Sequence, residues 1–146
     1  MKKMLTKLPP GWLFHHDLYL MVFRPRGIIT EKRLNMAIEL LEDAEDRAER
    51  PFNRFTDTSK LDAIDIDFKE MFRFSLHRRL SYSRRVVPVR SAIYATSEAA
   101  IRVAKIHAVL TDYSPLKVKL FDDKSAAAKW LGVSLETLEL DPWAGK

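Results

Sequence analysis

The sequence has 146 residues, of which 47% are hydrophobic and 31% are charged, and it contains no cysteine. That length is typical of one domain with a core of its own, and the lack of cysteine excludes disulfides, thiolate metal sites and cysteine nucleophiles. Lysine and arginine outnumber the acidic residues by 25 to 20, so the net charge is +5. This excess suits an anionic partner. No recognition motif accompanies it, so we do not expect nucleic acid, and an anionic membrane surface has no motif to support it.

The N-terminus begins with lysines but does not resemble a secretion signal. Pro9, Pro10 and Gly11 follow them, and the next apolar run, 18–23, is only six residues long. That run is too short for a signal peptide or a membrane span. We therefore expect a cytoplasmic protein with one domain over residues 1–146. Its core should cover about 12–133, with flanking tails at 1–11 and 134–146.

The first half of the chain predicts a β-hairpin, a helix and a third strand. Aromatic and β-branched residues in 12–16 and 18–23 indicate two strands with a tight turn between them. Thr30 is a good N-cap, and apolar residues then recur at helical spacing over about 31–50. Pro51 ends that helix, and the next strand spans 52–56.

The second half alternates helices and strands. We predict a loop over 57–67, followed in chain order by a helix at 68–82, a strand at 86–94, a helix at 98–111, a strand at 117–121 and a helix ending at 131. Ser97 and Asp122 or Asp123 are the expected N-caps, and Gly132 is the expected C-terminal glycine. A hairpin followed by strand–helix alternation predicts an α/β fold. We expect a single domain with a mainly parallel five-stranded sheet, opened by a β-hairpin, and about four helices.

Four aspartates, at 57, 62, 65 and 67, cluster in the predicted loop after the third strand. Ligands of open α/β sheets bind at that edge, and several carboxylates there could hold Mg²⁺. The simpler interpretation, which we favour, is that Asp57 ends the strand and that Asp65 or Asp67 caps the next helix. A metal at His15 and His16 is not expected, because adjacent strand residues point to opposite faces.

A basic stripe runs along the predicted helix 68–82. At 100° per residue, Lys69, Arg73, His77 and Arg84 share one side of the helix, while Arg79 falls within the opposite, apolar arc. An arginine there must snorkel to solvent, pair with a carboxylate or bind an anion. We expect pairing with a carboxylate of the preceding loop.

The chain lacks the local motifs of several enzyme classes. Its four glycines, at 11, 27, 132 and 145, form neither a phosphate-binding loop nor a dinucleotide fingerprint, and there is no Gly-x-Ser-x-Gly elbow. We therefore expect no cofactor and no catalysis. A catalytic site assembled from distant residues stays open, since such sites are defined in space.

Two stretches resemble a known family. Residues 55–67 (FTDTSKLDAIDID) are similar to the strand–loop–helix signature of STAS domains, which have the SpoIIAA-like fold of anti-sigma-factor antagonists. Residues 121–132 (FDDKSAAAKWLG) are similar to the ending of uncharacterised STAS-like proteins. The resemblance implies that fold and a non-enzymatic regulatory role. Asp67 stands where the family's phosphoacceptor serine would align, so we expect no phosphorylation switch at that position.

Three functional hypotheses follow. The first is a STAS-like module that binds an unknown ligand or protein partner, using these residues: Asp57, Thr58, Ser59, Asp65, Asp67, Arg73, His77 and Arg79. The second is a carrier of a small anionic ligand or lipid, because related folds resemble the CRAL-TRIO lipid carriers. A carrier needs an apolar cavity, for which we expect little room in a chain of this size. The third is an enzyme with a dispersed acidic site.

The helix predicted at 98–111 indicates self-association. It is apolar nearly all round apart from Arg102 and Lys105, which leaves too little polar surface for a solvated helix. Its small residues would allow a second copy to approach closely across a two-fold axis. We therefore expect a homodimer through this helix.

Overall fold

The computed structural model describes residues 8–82, 88–111 and 115–144, without the side chains of Arg79, Ser81 and Tyr82. Seven strands lie in these ranges: β1 (Trp12–His15), β2 (Leu20–Phe23), β3 (Gly27–Thr30), β4 (Asn53–Asp57), β5 (Leu61–Asp65), β6 (Val89–Tyr94) and β7 (Leu116–Phe121). The same ranges hold five α-helices: α1 (Glu31–Ala48), α2 (Phe68–Tyr82), α3 (Glu98–Leu110), α4 (Lys124–Leu131) and α5 (Leu135–Glu139). The predicted strand start at Val86 and Val87 lies outside the described residues.

Five of the strands form the main sheet, in the order β1-β2-β4-β6-β7. β1 and β2 are antiparallel and are joined by a short 3-10 turn at His16–Leu18. The pairs β2–β4, β4–β6 and β6–β7 are all parallel. The predicted α/β fold, with a mainly parallel five-stranded sheet opened by a hairpin, is confirmed.

The predicted loop over 57–67 is wrong, because β5 lies within it and pairs with β3 in a separate two-stranded parallel sheet. We refer to this small sheet as the β3–β5 flap. Its two strands are far apart in sequence, with α1 and β4 between them. Because this pairing joins distant segments, neither the four residues of β3 nor the five of β5 indicate it locally.

The helix ends follow the sequence closely. The hydroxyls of Thr30 and Ser97 accept hydrogen bonds from the backbone amides of Arg33 and Ala100, each at 3.2 Å, and cap α1 and α3. Asp123 caps α4, which ends at Gly132 in the left-handed conformation. These predicted caps are confirmed. The structure adds α5, with its buried Leu138, in a region that we expected to be a flanking tail.

Alternation along the strands divides the main sheet into two faces. On the closed face, α4 and α5 pack on a continuous core, which consists of Leu20, Val22, Phe55, Ala92, Phe121, Ala127, Ala128, Leu131 and Leu138. On the other face, α1 packs on a second cluster around Trp12, Met21 and Phe52. The middle of that second face carries Arg54 and Ser91, which are cross-strand neighbours. We call this second face the open face.

Candidate functional site

Asp57 ends β4 on the closed face and is fully buried. Its carboxylate accepts a hydrogen bond from the Arg24 Nε at 2.8 Å and lies 3.4 Å from the Lys124 Nζ. Burial alone would raise the pKa of Asp57, but hydrogen bonds from Ser59 and Arg24 and the charge of Lys124 outweigh it and lower that pKa. Asp57 therefore has no surface to offer a partner in this conformation.

Arg24 connects Asp57 to the C-terminal part of the chain. Its Nη2 donates to the carbonyl of Leu138 at 2.9 Å, at the end of α5. The indole of Trp143 donates back to the carbonyl of Arg24 at 2.7 Å. These bonds hold the C-terminal segment against the sheet. Arg24 and Asp57 therefore have a structural role at the carboxyl end of the strands.

The remaining loop residues of the predicted site also make local contacts. The Thr58 hydroxyl donates to the Tyr94 carbonyl at 2.8 Å, and the Ser59 amide donates to the Asp57 carboxylate at 2.9 Å. Asp67 accepts from the Glu70 amide at 2.7 Å while Glu70 accepts from the Asp67 amide, which is a capping box at the start of α2. The capping role that we favoured for Asp67 is confirmed, and exposed Asp65 ends β5.

The basic residues of the predicted site lie on the outer side of α2. Exposed Arg73 makes a two-oxygen ion pair with Glu31 of α1, with its Nη2 2.8 and 2.7 Å from the two carboxylate oxygens. Exposed His77 has its Nε2 3.9 Å from a carboxylate oxygen of Glu42. The side chain of Arg79 lies outside the described residues. The eight predicted residues are thus spread over the sheet edge, the flap and α2.

Arg78 of α2 is buried, with a side chain that is only 1% exposed. Its Nη1 donates to the Glu42 carboxylate of α1 at 2.6 Å. The inward side of α2 carries Met71, Phe74, Ser75 and Arg78, while its most hydrophobic stripe points outward. The loop carboxylate was our predicted partner for Arg79, whose side chain lies outside the described residues, so that pairing stays a prediction. The Arg78–Glu42 pair joins two helices.

A cavity of about 140 Å³ lies on the open face, between the sheet and α1, α2 and α3. Its wall is mostly apolar and includes Met21, Phe23, Leu41, Ile93 and Ala104. Side chains of the β3–β5 flap, among them Ile29 and Ile64, also line it. The cavity is smaller than a typical ligand pocket of roughly 300–1,000 Å³, in keeping with the little room that we expected for a lipid carrier. Small residues of the helices and the sheet line it: Ala37, Ser91, Ala100 and Ala104.

One region of the cavity wall is polar and buried. Arg54 of β4 lines it and pairs with the buried Glu45 of α1 at 2.8 Å. Arg78 also lines it. Two guanidinium groups, each held by a glutamate of α1, therefore stand beside an apolar space. Burying an ion pair has a desolvation penalty, which the attraction between the two charges offsets only when their geometry is good. Apolar side chains would fill the same space without that penalty.

His107 of α3 is the third polar group at this region of the wall. It is buried, and its Nδ1 lies 2.7 Å from the hydroxyl of buried Ser75. Burial and, to a smaller extent, the positive charges of Arg78 and Arg54 together lower the pKa of His107 to about 3. His107 is therefore neutral at physiological pH and stands in the positive field of both guanidinium groups.

Two hydroxyls from the sheet also face the cavity, Ser91 beside Arg54 and Thr56 beside Ile93. Ser91 of β6 is 8% exposed, Thr56 of β4 is half-buried, and both line the cavity. Among the described residues, neither hydroxyl has a hydrogen-bond partner. Buried hydroxyls are nearly always hydrogen-bonded, so an unpaired one facing a cavity is suited to a bound molecule or water.

Among the described residues that line the cavity, Thr58 alone belongs to our site prediction. Ser91 occupies an inward position of β6 with the apolar Val89 and Ile93 on either side of it, and Arg54 occupies an inward position of β4 between Phe52 and Thr56. A polar residue that breaks the apolar side of a predicted strand was therefore the available signal. Arg78 and His107 gave no such signal, since only helix packing shows that they face inward.

Within the described ranges, no group of three or more histidine, aspartate or glutamate side chains is placed to hold a metal ion. In the same ranges, the helices fall short of the combined length and hydropathy that a bilayer crossing demands.

The chain is similar to one crystal structure of known fold. That structure is an uncharacterized protein of the DUF3478 family, with a SpoIIAA-like fold, from Shewanella loihica PV-4. The two share 22% sequence identity with a TM-score of 0.54 over 84% of this chain and 92% of the other. This chain has a SpoIIAA-like fold. The fold implied by the STAS resemblance is therefore confirmed, while no protein-family profile and no curated protein matches the sequence.

Proposed function

We propose that this protein is a non-enzymatic binding module that takes a small, largely apolar molecule into the cavity of its open face. The observation that carries the proposal is the cavity itself, about 140 Å³ with mainly apolar walls. An apolar cavity of similar size in another protein binds benzene or xenon. A molecule with about six to eight carbon atoms therefore matches the space.

The chemistry of the wall favours binding over catalysis. Ser75 and His107 are within hydrogen-bonding distance, as in a nucleophile–base pair. Ser75, however, has no exposed surface and does not line the cavity, whereas a nucleophile must reach its substrate. The acidic residues of the dispersed-enzyme hypothesis are also separated, with Asp57 buried on the closed face and Asp67 capping α2.

Toluene is a suitable probe of the cavity, because it matches the space in size and carries no polar group. We expect toluene to raise the melting temperature and to shift the amide resonances of cavity residues. Ala104→Leu, which projects extra methyl groups into the cavity, should abolish both effects. Ala126→Leu on the exposed side of α4 is the matched control and should bind toluene like the parent. The absence of any toluene effect at millimolar concentration would contradict the proposed function.

Self-association is a second proposal, supported by an exposed apolar stripe on α2. Phe68, Phe72, Leu76 and Leu80 recur every four residues and are 42–64% exposed. Val109 of the neighbouring α3 is 72% exposed. The homodimer that we predicted through α3 would then also involve α2. Sedimentation at tens of micromolar should give a dimer, and Leu76→Glu should give a monomer with unchanged secondary structure. A monomeric parent would sink this proposal.

A further inference from the structure

The polar part of the cavity wall points to the chemical class of the bound molecule. Resting on the function proposed above, we infer that the cavity takes a small carboxylic acid, with its carboxylate at Ser91, Arg54 and Arg78 and its apolar body toward the β3–β5 flap. Three features of the cavity support it: the unpaired hydroxyl of the buried residue Ser91, two buried guanidinium groups, and the separation of the polar part of the wall from the apolar part.

The first observation concerns Ser91. Its side chain is more than nine-tenths buried and lines the cavity, and none of the residues that the structure describes accepts its hydroxyl proton. A hydroxyl donor of this kind gains a full hydrogen bond when an acceptor enters the cavity. Hydrogen bonds to a charged acceptor such as a carboxylate are about twice as strong as those between neutral groups.

The second observation concerns the sign of the local charge. Arg54 is the cross-strand neighbour of Ser91 in the sheet, and Arg78 approaches the same cavity from α2. Glu45 and Glu42 hold these guanidinium groups from α1. Even so, both arginines act on the cavity residue His107 as positive charges and lower its pKa. Arg54 and Arg78 line the cavity, whereas their partners Glu45 and Glu42 do not, so an anion in the cavity is stabilised and an ammonium group is repelled.

The third observation is how the wall residues divide between two regions of the fold. The polar region includes Arg78, near the C-terminal end of α2, and His107, near the C-terminal end of α3. The apolar region includes Ile29 and Ile64 of the flap and Ile93, which lies two residues after Ser91 along β6. A molecule that fills both regions needs a charged head and an apolar body. Aliphatic or aromatic monocarboxylates with about six to eight carbon atoms meet both needs and fit the available volume.

A comparison of hexanoate with 1-hexanol tests the class of ligand. The two molecules share their chain length and differ in the charge of the head group. By calorimetry or by NMR titration at pH 7.5, we expect hexanoate to bind at least tenfold more tightly than 1-hexanol. Ser91→Ala removes one oxygen atom without adding bulk, and we expect it to weaken hexanoate binding about tenfold. Toluene should bind the parent and Ser91→Ala equally, which shows that the cavity is intact.

The outcomes separate this inference from the proposed function. If toluene binds but hexanoate has no advantage over 1-hexanol, the carboxylate inference is overturned and the apolar binding function stands. If hexanoate binds parent and Ser91→Ala equally, the head group does not lie at Ser91 and the inference is also overturned. If neither toluene nor hexanoate binds, both proposals fall together.

Discussion

On the closed face of the main sheet, α4 and α5 cover a core in which Phe55, Ala92 and Leu138 are fully buried among other apolar residues. On the open face, α1, α2 and α3 stand over a cavity, and the sheet below them presents Arg54 and Ser91. The same strands build both faces, with alternate residues pointing each way. The difference therefore comes from the choice of side chain at alternate positions.

The apolar residues of the closed face stabilise the fold, whereas Arg54 and Ser91 of the open face carry a desolvation penalty. Apolar side chains at the positions of Arg54 and Ser91 would fill the cavity and avoid the desolvation of an ion pair. The closed face shows that the chain can build such a core. The polar wall of the open face is thus poorly explained by stability, whereas the binding of a charged head group that we propose would account for it.

The largest expected effect comes from breaking the buried ion pair of the closed face. Asp57→Ala leaves the Arg24 guanidinium buried without its carboxylate and should reduce the free energy of unfolding by about 3–5 kcal/mol. Urea denaturation measures this loss. Asp65→Ala, at an exposed carboxylate, is the control and should change stability by about 0.5 kcal/mol or less. A loss below 1 kcal/mol for Asp57→Ala would show that Lys124 and water replace the pair.

Of the two faces, the open face should contribute more to the loss of folding stability as the pH falls from 6 to 4. Because the pKa of His107 is lowered from 6.5 to about 3, the unfolded chain takes up a proton in this range and the folded chain does not. Stability is therefore complete above pH 6.5 and falls as the pH is lowered, by at most about 1.4 kcal/mol per pH unit. The loss stops near the folded pKa. Asp57, whose pKa is lowered from 3.8, adds its own loss only below that value.

His107→Asn removes this ionisation and should flatten the pH dependence of stability between pH 4 and 6. Denaturant melts at several pH values compare it with the parent and with His16→Asn, which changes an exposed histidine. The pKa of His15 is also lowered by burial, but His15 is present in all three proteins, so its contribution cancels. Equal slopes for parent and His107→Asn would refute a buried neutral His107.

A matched pair of alanine substitutions compares the packing of the two faces directly. Ala104 and Ala128 are each 3% exposed and lie on helices that face opposite sides of the sheet. Ala128→Leu forces extra volume into a filled core and should cost about 1–3 kcal/mol. Ala104→Leu enters the cavity and should cost less than about 1 kcal/mol, or stabilise the protein. Equal losses in thermal or urea melts would mean that the cavity cannot accept a side chain.

The smallest expected effect is at the surface of the open face. Arg73 and Glu31 join α2 to the start of α1 through an ion pair in which Arg73 is more than half exposed. Arg73→Ala should therefore cost about 1 kcal/mol or less, and the cost should shrink at high salt. A loss above 2 kcal/mol that persists in 1 M salt would indicate that this contact closes the open face.

Much of the fold was predictable because its signals are local. The helix predicted at 68–82 coincides with α2, and the helix predicted at 31–50 ends two residues beyond α1. Caps at Thr30 and Asp123 depend on one side chain and the amides next to it, so the sequence indicates them without the rest of the structure.

The site was less predictable because its residues meet only through packing. Helical periodicity indicates that α2 is amphipathic, yet its most apolar stripe, Phe68 to Leu80, faces outward while Ser75 and Arg78 face inward. Which side of a helix faces the core depends on the side chains of the neighbouring elements against which the helix packs. Here that surface includes Glu42 of α1 and His107 of α3, which form contacts with Arg78 and Ser75.

By itself, the sequence determined the order of most elements, the mainly parallel sheet and the helix caps, since each follows from spacing or from a neighbouring residue. Only the tertiary structure decided the pairing of β3 with β5, the burial of Asp57 against Arg24 and the cavity beside Arg54 and Ser91. These features join segments that lie tens of residues apart. Their free energy comes from desolvation and contacts that exist only once the chain is closed, so no local window of the sequence carries them.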